Sequence, residues 1–165
     1  MRPVYDGMAM NRLIVPLLTV LLSACAVTSL RPGASEAEVM GAMGRPALEF
    51  EGPEGSRQLA YPTGPFGEQT YMAHIGRDGR LQRLEQVLDD SRINEIRQGM
   101  SADEVLRLIG PPYQRVRFGN LAQTAWDYRF RDTWGYLSIL SVMVDDAGRV
   151  ASRITRRIEP RDRTF

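Results

Sequence analysis

Gly99-Met-Ser101-Ala-Asp-Glu104-Val105-Leu-Arg-Leu-Ile109-Gly110-Pro-Pro112 restates Gly33-Ala-Ser35-Glu-Ala-Glu38-Val39-Met-Gly-Ala-Met43-Gly44-Arg-Pro46 at a distance of 66 positions. Both stretches keep glycine, serine, glutamate, valine, glycine and proline in the same places. A shorter echo follows each one: Asp78-Gly79-Arg80-Leu81 and Asp146-Ala-Gly148-Arg149-Val150. A duplication at fixed spacing sets the domain organisation before any other argument. The shared residues are helix punctuation and turn formers, not reactive groups.

Each copy reads as a short helix laid on a sheet. Ser35 and Ser101 are N-caps, and Glu38 and Glu104, three residues on, complete capping boxes. Apolar residues then recur at helical spacing, at Val39, Met40 and Met43 and at Val105, Leu106, Leu108 and Ile109. Gly44 and Gly110 take the left-handed C-terminal position, and Pro46 and Pro112 forbid continuation. A helix of two to three turns is not stable alone. The runs that follow predict strands over 47–51, 57–61, 69–75 and 80–88 in the first copy, and over 113–118, 124–130, 136–144 and 149–154 in the second. Gly76-Arg-Asp-Gly79 and Asp145-Asp-Ala-Gly148 read as hairpin turns. Sequential strands joined by tight turns give an antiparallel meander. One face of each sheet takes the helix, and the other is left for the sister copy or a partner. An additional helix over 91–98, with Ile93 and Ile96 on one side, precedes the second copy; Thr28–Arg31, closed by Pro32, is all that corresponds in the first. The fold class is therefore α+β, with two tandem repeats over 30–88 and 89–158, each a short helix or helix pair on a three- to four-stranded antiparallel sheet, and a basic tail over 159–165.

The leader has its own chemistry. Arg12 precedes the apolar run Leu13–Leu22, which is long enough for a secretory signal and too short for a membrane span. It ends in Leu22-Ser23-Ala24-Cys25, which resembles a bacterial lipobox: residues 1–24 form the signal peptide, cleavage falls between Ala24 and Cys25, and Cys25 carries the lipid. Met10-Asn11-Arg12 gives a more compact signal peptide than Met1 does. Ala26, rather than an aspartate, follows the cysteine, which by resemblance to enterobacterial sorting rules directs the chain to the outer membrane. Three acyl chains at about 0.8 kcal/mol per buried methylene hold it there. Residues 25–29 form the tether. At roughly 3.3–3.6 Å per residue it reaches only about 20 Å, so the first repeat sits near the leaflet. Cys25 is the only cysteine, so the exported part holds no internal disulfide.

Charge narrows the function further. All 21 basic residues are arginine. Without residues 1–24 the chain has 19 basic and 19 acidic side chains, which speaks against a nucleic-acid binder. His74 is the only histidine and has no recognisable serine–acid context. Asp89-Asp90 and Asp145-Asp146 lack the alternating oxygens of a calcium loop and read as caps or turns. Gly64-Pro-Phe-Gly67 lacks the lysine of a phosphate loop. The expectation is a chain with no enzymatic activity, no metal and no cofactor. Phe66, Trp134 and Tyr136 fall in or beside hairpin connections, where aromatics serve as protein-binding hot spots. They are the candidate partner-binding residues, and the arginine-rich tail is a candidate contact for anionic headgroups.

Gly99-Met100-Ser101-Ala-Asp-Glu104-Val105, Gly110-Pro-Pro112, Trp126-Asp-Tyr128 and Asp146-Ala-Gly148-Arg149-Val150 resemble the SmpA/OmlA (BamE-like) outer-membrane lipoprotein domain family. The resemblance covers residues 91–155 well and 30–88 more weakly. It implies a helix–helix–sheet lipoprotein on the periplasmic side of the outer membrane, with protein partners in the cell envelope such as the β-barrel assembly machinery. The chain departs from that family in having two copies and no long flexible segment after the cysteine. Paired copies are similar to the β-lactamase inhibitory proteins, which implies an alternative, an inhibitor or sensor gripping an exported enzyme. A lipid- or peptidoglycan-binding module is a third reading.

Overall fold

The computed structural model describes residues 30–64 and 67–158. In the first repeat α1 (Glu36–Met43) is followed by β1 (Leu48–Glu51), β2 (Arg57–Thr63), β3 (Gln69–Ile75) and β4 (Leu81–Gln86). In the second, α2 (Asp90–Ile93) and α3 (Ala102–Ile109) precede β5 (Gln114–Phe118), β6 (Gln123–Arg131), β7 (Leu137–Asp145) and β8 (Val150–Arg157). The strands form two separate four-stranded sheets, ordered β1-β2-β3-β4 and β5-β6-β7-β8, antiparallel throughout. The fold is α+β with two sheet-based repeats.

The duplicated residues make duplicated contacts. Ser35 Oγ accepts from Glu38 N at 3.3 Å and Ser101 Oγ from Glu104 N at 3.2 Å, while each glutamate accepts from its serine's main-chain N at 2.7 Å. Each serine hydroxyl also donates to the same carboxylate at 2.7 Å, and this bond, seconded by the main-chain one, holds the Glu38 and Glu104 carboxyls below the ordinary value of 4.5. The second echo is explained as well. Arg80 donates to Gly33 O (2.8 Å) and Arg149 to Gly99 O (3.1 Å), lashing the chain before each helix to the start of the last strand. Both sheets carry a register irregularity at the same place, after His74 in β3 and after Met143 in β7.

Two expectations are corrected. Gly44 and Gly110 have φ +80 with ψ near −165, not the left-handed helical conformation; this mirror-extended region is essentially open to glycine alone. The helix expected over 91–98 is α-helical only from Asp90 to Ile93. Beyond it the bonds tighten to Glu95 N–Arg92 O and Ile96 N–Ile93 O, the spacing of a 3-10 turn. Ile93 and Ile96 are still both buried. Strand ends also move: β7 starts at Leu137, and β8 runs three residues past 154.

Packing makes four layers. Val39 of α1 buries itself against Leu59, Tyr61, Ala73, Ile75 and Leu81 on the inner face of the first sheet. Val105 and Ile109 of α3 do the same against Trp126, Tyr128, Phe130, Leu140 and Val142 of the second. The layers are joined through the other side of the first sheet. Gln58 donates to Arg107 O at 2.8 Å, Arg107 Nη1 donates to Glu51 O at 3.0 Å, and the Arg107 guanidinium lies 4.8 Å above the Phe50 ring. Arg92 of α2 pairs with Glu85 of β4 at 3.2 Å. The order is α1, first sheet, α2–α3, second sheet. At the centre of the joined face Ala60 opposes Met72, both fully buried. The matching pair in the second sheet is Asp127 and Ser141, hydrogen-bonded at 2.6 Å on the side facing away from the helices.

Candidate protein-binding site

The β6–β7 hairpin is closed by Asp132-Thr-Trp-Gly-Tyr136. Asp132 N donates to Tyr136 O at 3.0 Å and Gly135 N to Asp132 O at 2.7 Å; Gly135 supplies the positive φ, +80, that the turn needs. The Asp132 side chain organises the rest. Its Oδ1 accepts the Trp134 and Tyr136 amides at 3.0 and 2.9 Å. Its Oδ2 accepts Arg157 Nη2 at 2.7 Å and Nε at 3.1 Å from the end of β8. Desolvation works against this charge, but the hydrogen bonds from Arg157 and the two amides hold the carboxyl below its ordinary 3.8. A second carboxylate clamps the other side: Asp90 Oδ2, in the first turn of α2, accepts both Thr133 N and Thr133 Oγ1 at 2.6 Å.

Two aromatics stand on this clamp. The Arg157 guanidinium lies 4.2 Å from the Tyr136 ring centroid, and Tyr136 is 53% exposed. Trp134 is 79% exposed, the most open large apolar side chain among the described residues. Beside it lies a depression of about 350 Å³ lined by Asp90, Asp132, Trp134, Ser138, Thr155 and Arg157. The arrangement suits binding: a flat apolar surface is held out by a loop already fixed in place, so little conformational entropy is left to lose on association.

Trp134 and Tyr136 are thus brought together, on one support. Phe66, Cys25, Ala24 and the 159–165 tail lie outside the described residues. Ser35, Glu38, Gly44 and Pro46 bound α1, and Ser101, Glu104, Gly110 and Pro112 bound α3; they shape the repeats and line no common site. The reading of residues 131–136 missed Asp132, although Asp-Thr-Trp-Gly is the pattern of an aspartate bonding an amide two residues on. It also missed Arg157 and Asp90, whose proximity follows only from the tertiary fold.

The remaining polar groups form ion pairs and turns. His74 Nε2 lies 3.0 Å from Glu85 Oε1 and 3.1 Å from Arg83 Nη2, at the face joined to the second repeat. Asp89 caps α2 through Arg92 N, and Asp145 accepts Arg149 N in its turn. Among the described residues no cluster of three His, Cys, Asp or Glu side chains could hold a metal ion, and no helix is long and apolar enough to cross a membrane. No family model and no curated protein matches the chain.

Proposed function

We propose that this chain is a non-catalytic protein-binding module, held by lipid on Cys25 at the periplasmic side of the outer membrane, and that it docks envelope proteins through the β6–β7 tip. One observation carries the binding role: an indole 79% exposed on a turn clamped by two carboxylates. Exposed tryptophan with tyrosine and arginine is the side-chain chemistry of interface hot spots. The lipobox at Leu22–Cys25 supports the anchor. The resemblance to the SmpA/OmlA family supports partners at the β-barrel assembly machinery.

The test is crosslinking in intact cells with the full-length lipoprotein, followed by mass spectrometry of what is captured. Trp134→Ala with Tyr136→Ala should reduce capture about thirtyfold or more, since hot-spot truncations cost about 2 kcal/mol or more, and should leave thermal stability within about 0.5 kcal/mol. Unchanged capture of the same proteins at the same yield would remove the tip from the interface.

A further inference from the structure

Among the described residues, the last strand of the second sheet has a backbone edge next to the tip that no other strand pairs with. β8 borders the sheet. Ile158 N donates to Leu137 O at 2.8 Å, and the register pairs Ile139 with Arg156 and Ser141 with Ile154. In an antiparallel ladder the hydrogen-bonded pairs alternate, so the N–H and C=O groups of Arg153, Thr155 and Arg157 point outward. Val150 also points outward, but Gly99 N and Met100 O engage it, at 2.8 Å each. From Arg153 to Arg157 no backbone group of the described residues takes that role.

Such edges are normally guarded by charged side chains. Here two of the guards are tied back. Arg153 donates to the neutral oxygens Ile96 O and Asn94 Oδ1 on the helix side (3.2 and 3.3 Å), and Arg157 is held on Asp132. On the opposite side Ile154 is 64% exposed and Arg156 is exposed. An open row of amides beside an exposed apolar side chain fits an added strand.

Resting on the protein-binding reading above, we propose that β8 accepts an extended segment of the partner as a fifth strand, with Thr155 at the centre of the pairing. Cross-strand neighbours share a face, which fixes what the segment carries. The residue opposite Thr155 lies on the helix side, beside the Trp134 depression, and is aromatic. Its neighbours lie on the open side, and the one opposite Ile154 is apolar. The partner is therefore a protein with an exposed strand or tail carrying an apolar residue next to an aromatic one.

Photocrosslinking tests this in the full-length lipoprotein in its own cells, with a photoreactive phenylalanine analogue at position 154 or, separately, at 134. Thr155→Pro removes one outward N–H without breaking a bond to β7. An amide-to-ester replacement at 155 removes the same donor without the proline ring, should the proline variant melt early. Captured peptides from position 154 should map to an extended segment with an aromatic residue next to an apolar one, and their yield should fall about tenfold in both donor-less forms. Capture at 154 that is indifferent to both changes, capture at 134 with none at 154, or capture only of a second copy of this chain would each overturn the strand-addition proposal. Absence of protein capture from both positions would instead overturn the underlying protein-binding reading.

Discussion

Gly44 and Gly110 occupy the same backbone conformation in the two repeats, and only one of them faces a neighbour. At Gly44 an added Cβ would meet nothing within 4 Å; at Gly110 it would lie 2.6 Å from Thr70 Cγ2, on the first sheet. Gly44→Ala therefore measures backbone strain alone, about 1–3 kcal/mol for a non-glycine residue in this region. Gly110→Ala adds an overpacked contact across the joined layers, about 1–3 kcal/mol more. Thr70 is fully buried, so its methyl has little room to yield. Thr70→Ser deletes that methyl. In its background Gly110→Ala should fall back to the cost of Gly44→Ala, a coupling of about 1–3 kcal/mol in a double-mutant cycle. Denaturant unfolding of the unlipidated chain reads these costs. Trp134→Phe leaves Trp126, buried in the second repeat, as the only tryptophan, so its fluorescence follows that repeat. Equal costs at the two glycines, or no relief from Thr70→Ser, would refute the packing of the second helical layer on the first sheet.

Loss of a helix cap is expected to be symmetric: Ser35→Ala and Ser101→Ala should each cost about 0.5–2 kcal/mol by denaturant unfolding, and a null effect at either would count against the capping box there. His74 yields a pH dependence. Burial, reinforced by the charges of Arg83 and Arg92 and opposed by the Glu85 hydrogen bond, lowers its pKa from the ordinary 6.5. Below about pH 6.5 the unfolded chain takes up a proton that the folded one resists, so this group's contribution is intact above that pH and is lost as the pH falls. His74→Gln should flatten the stability profile between pH 7 and 5; an unaltered slope would assign the dependence elsewhere. Cys25→Ala should move the protein out of the membrane fraction of cells, and persistence there would contradict lipidation at that residue.

The repeat, the caps and the order of strands were legible because they depend on contacts between residues close in sequence. Ser101 and Glu104 sit one turn apart, and a capping box needs no more. The aromatic candidates were legible as residue types, Trp134 and Tyr136 beside a glycine in a hairpin connection. What held them was not legible. Asp90 and Arg157 are far from Thr133 and Asp132 along the chain: the β7–β8 pairing brings Arg157 to Asp132, and α2 brings Asp90 to Thr133. The extent of α2 was overread because Ile93 and Ile96 are three apart, a spacing that a tight 3-10 turn satisfies as well as an α-helix.

The Asp127–Ser141 pair has a consequence for how long such an array can be. Where the first sheet offers dry aliphatic and methionine surface to the next unit, the second offers a carboxylate and a hydroxyl bonded to each other, and covering them would cost their hydration. Stacked units need a polar terminal surface to stay in solution. The second unit thus carries a hydrogen-bonded polar pair at the place where the first carries Ala60 and Met72.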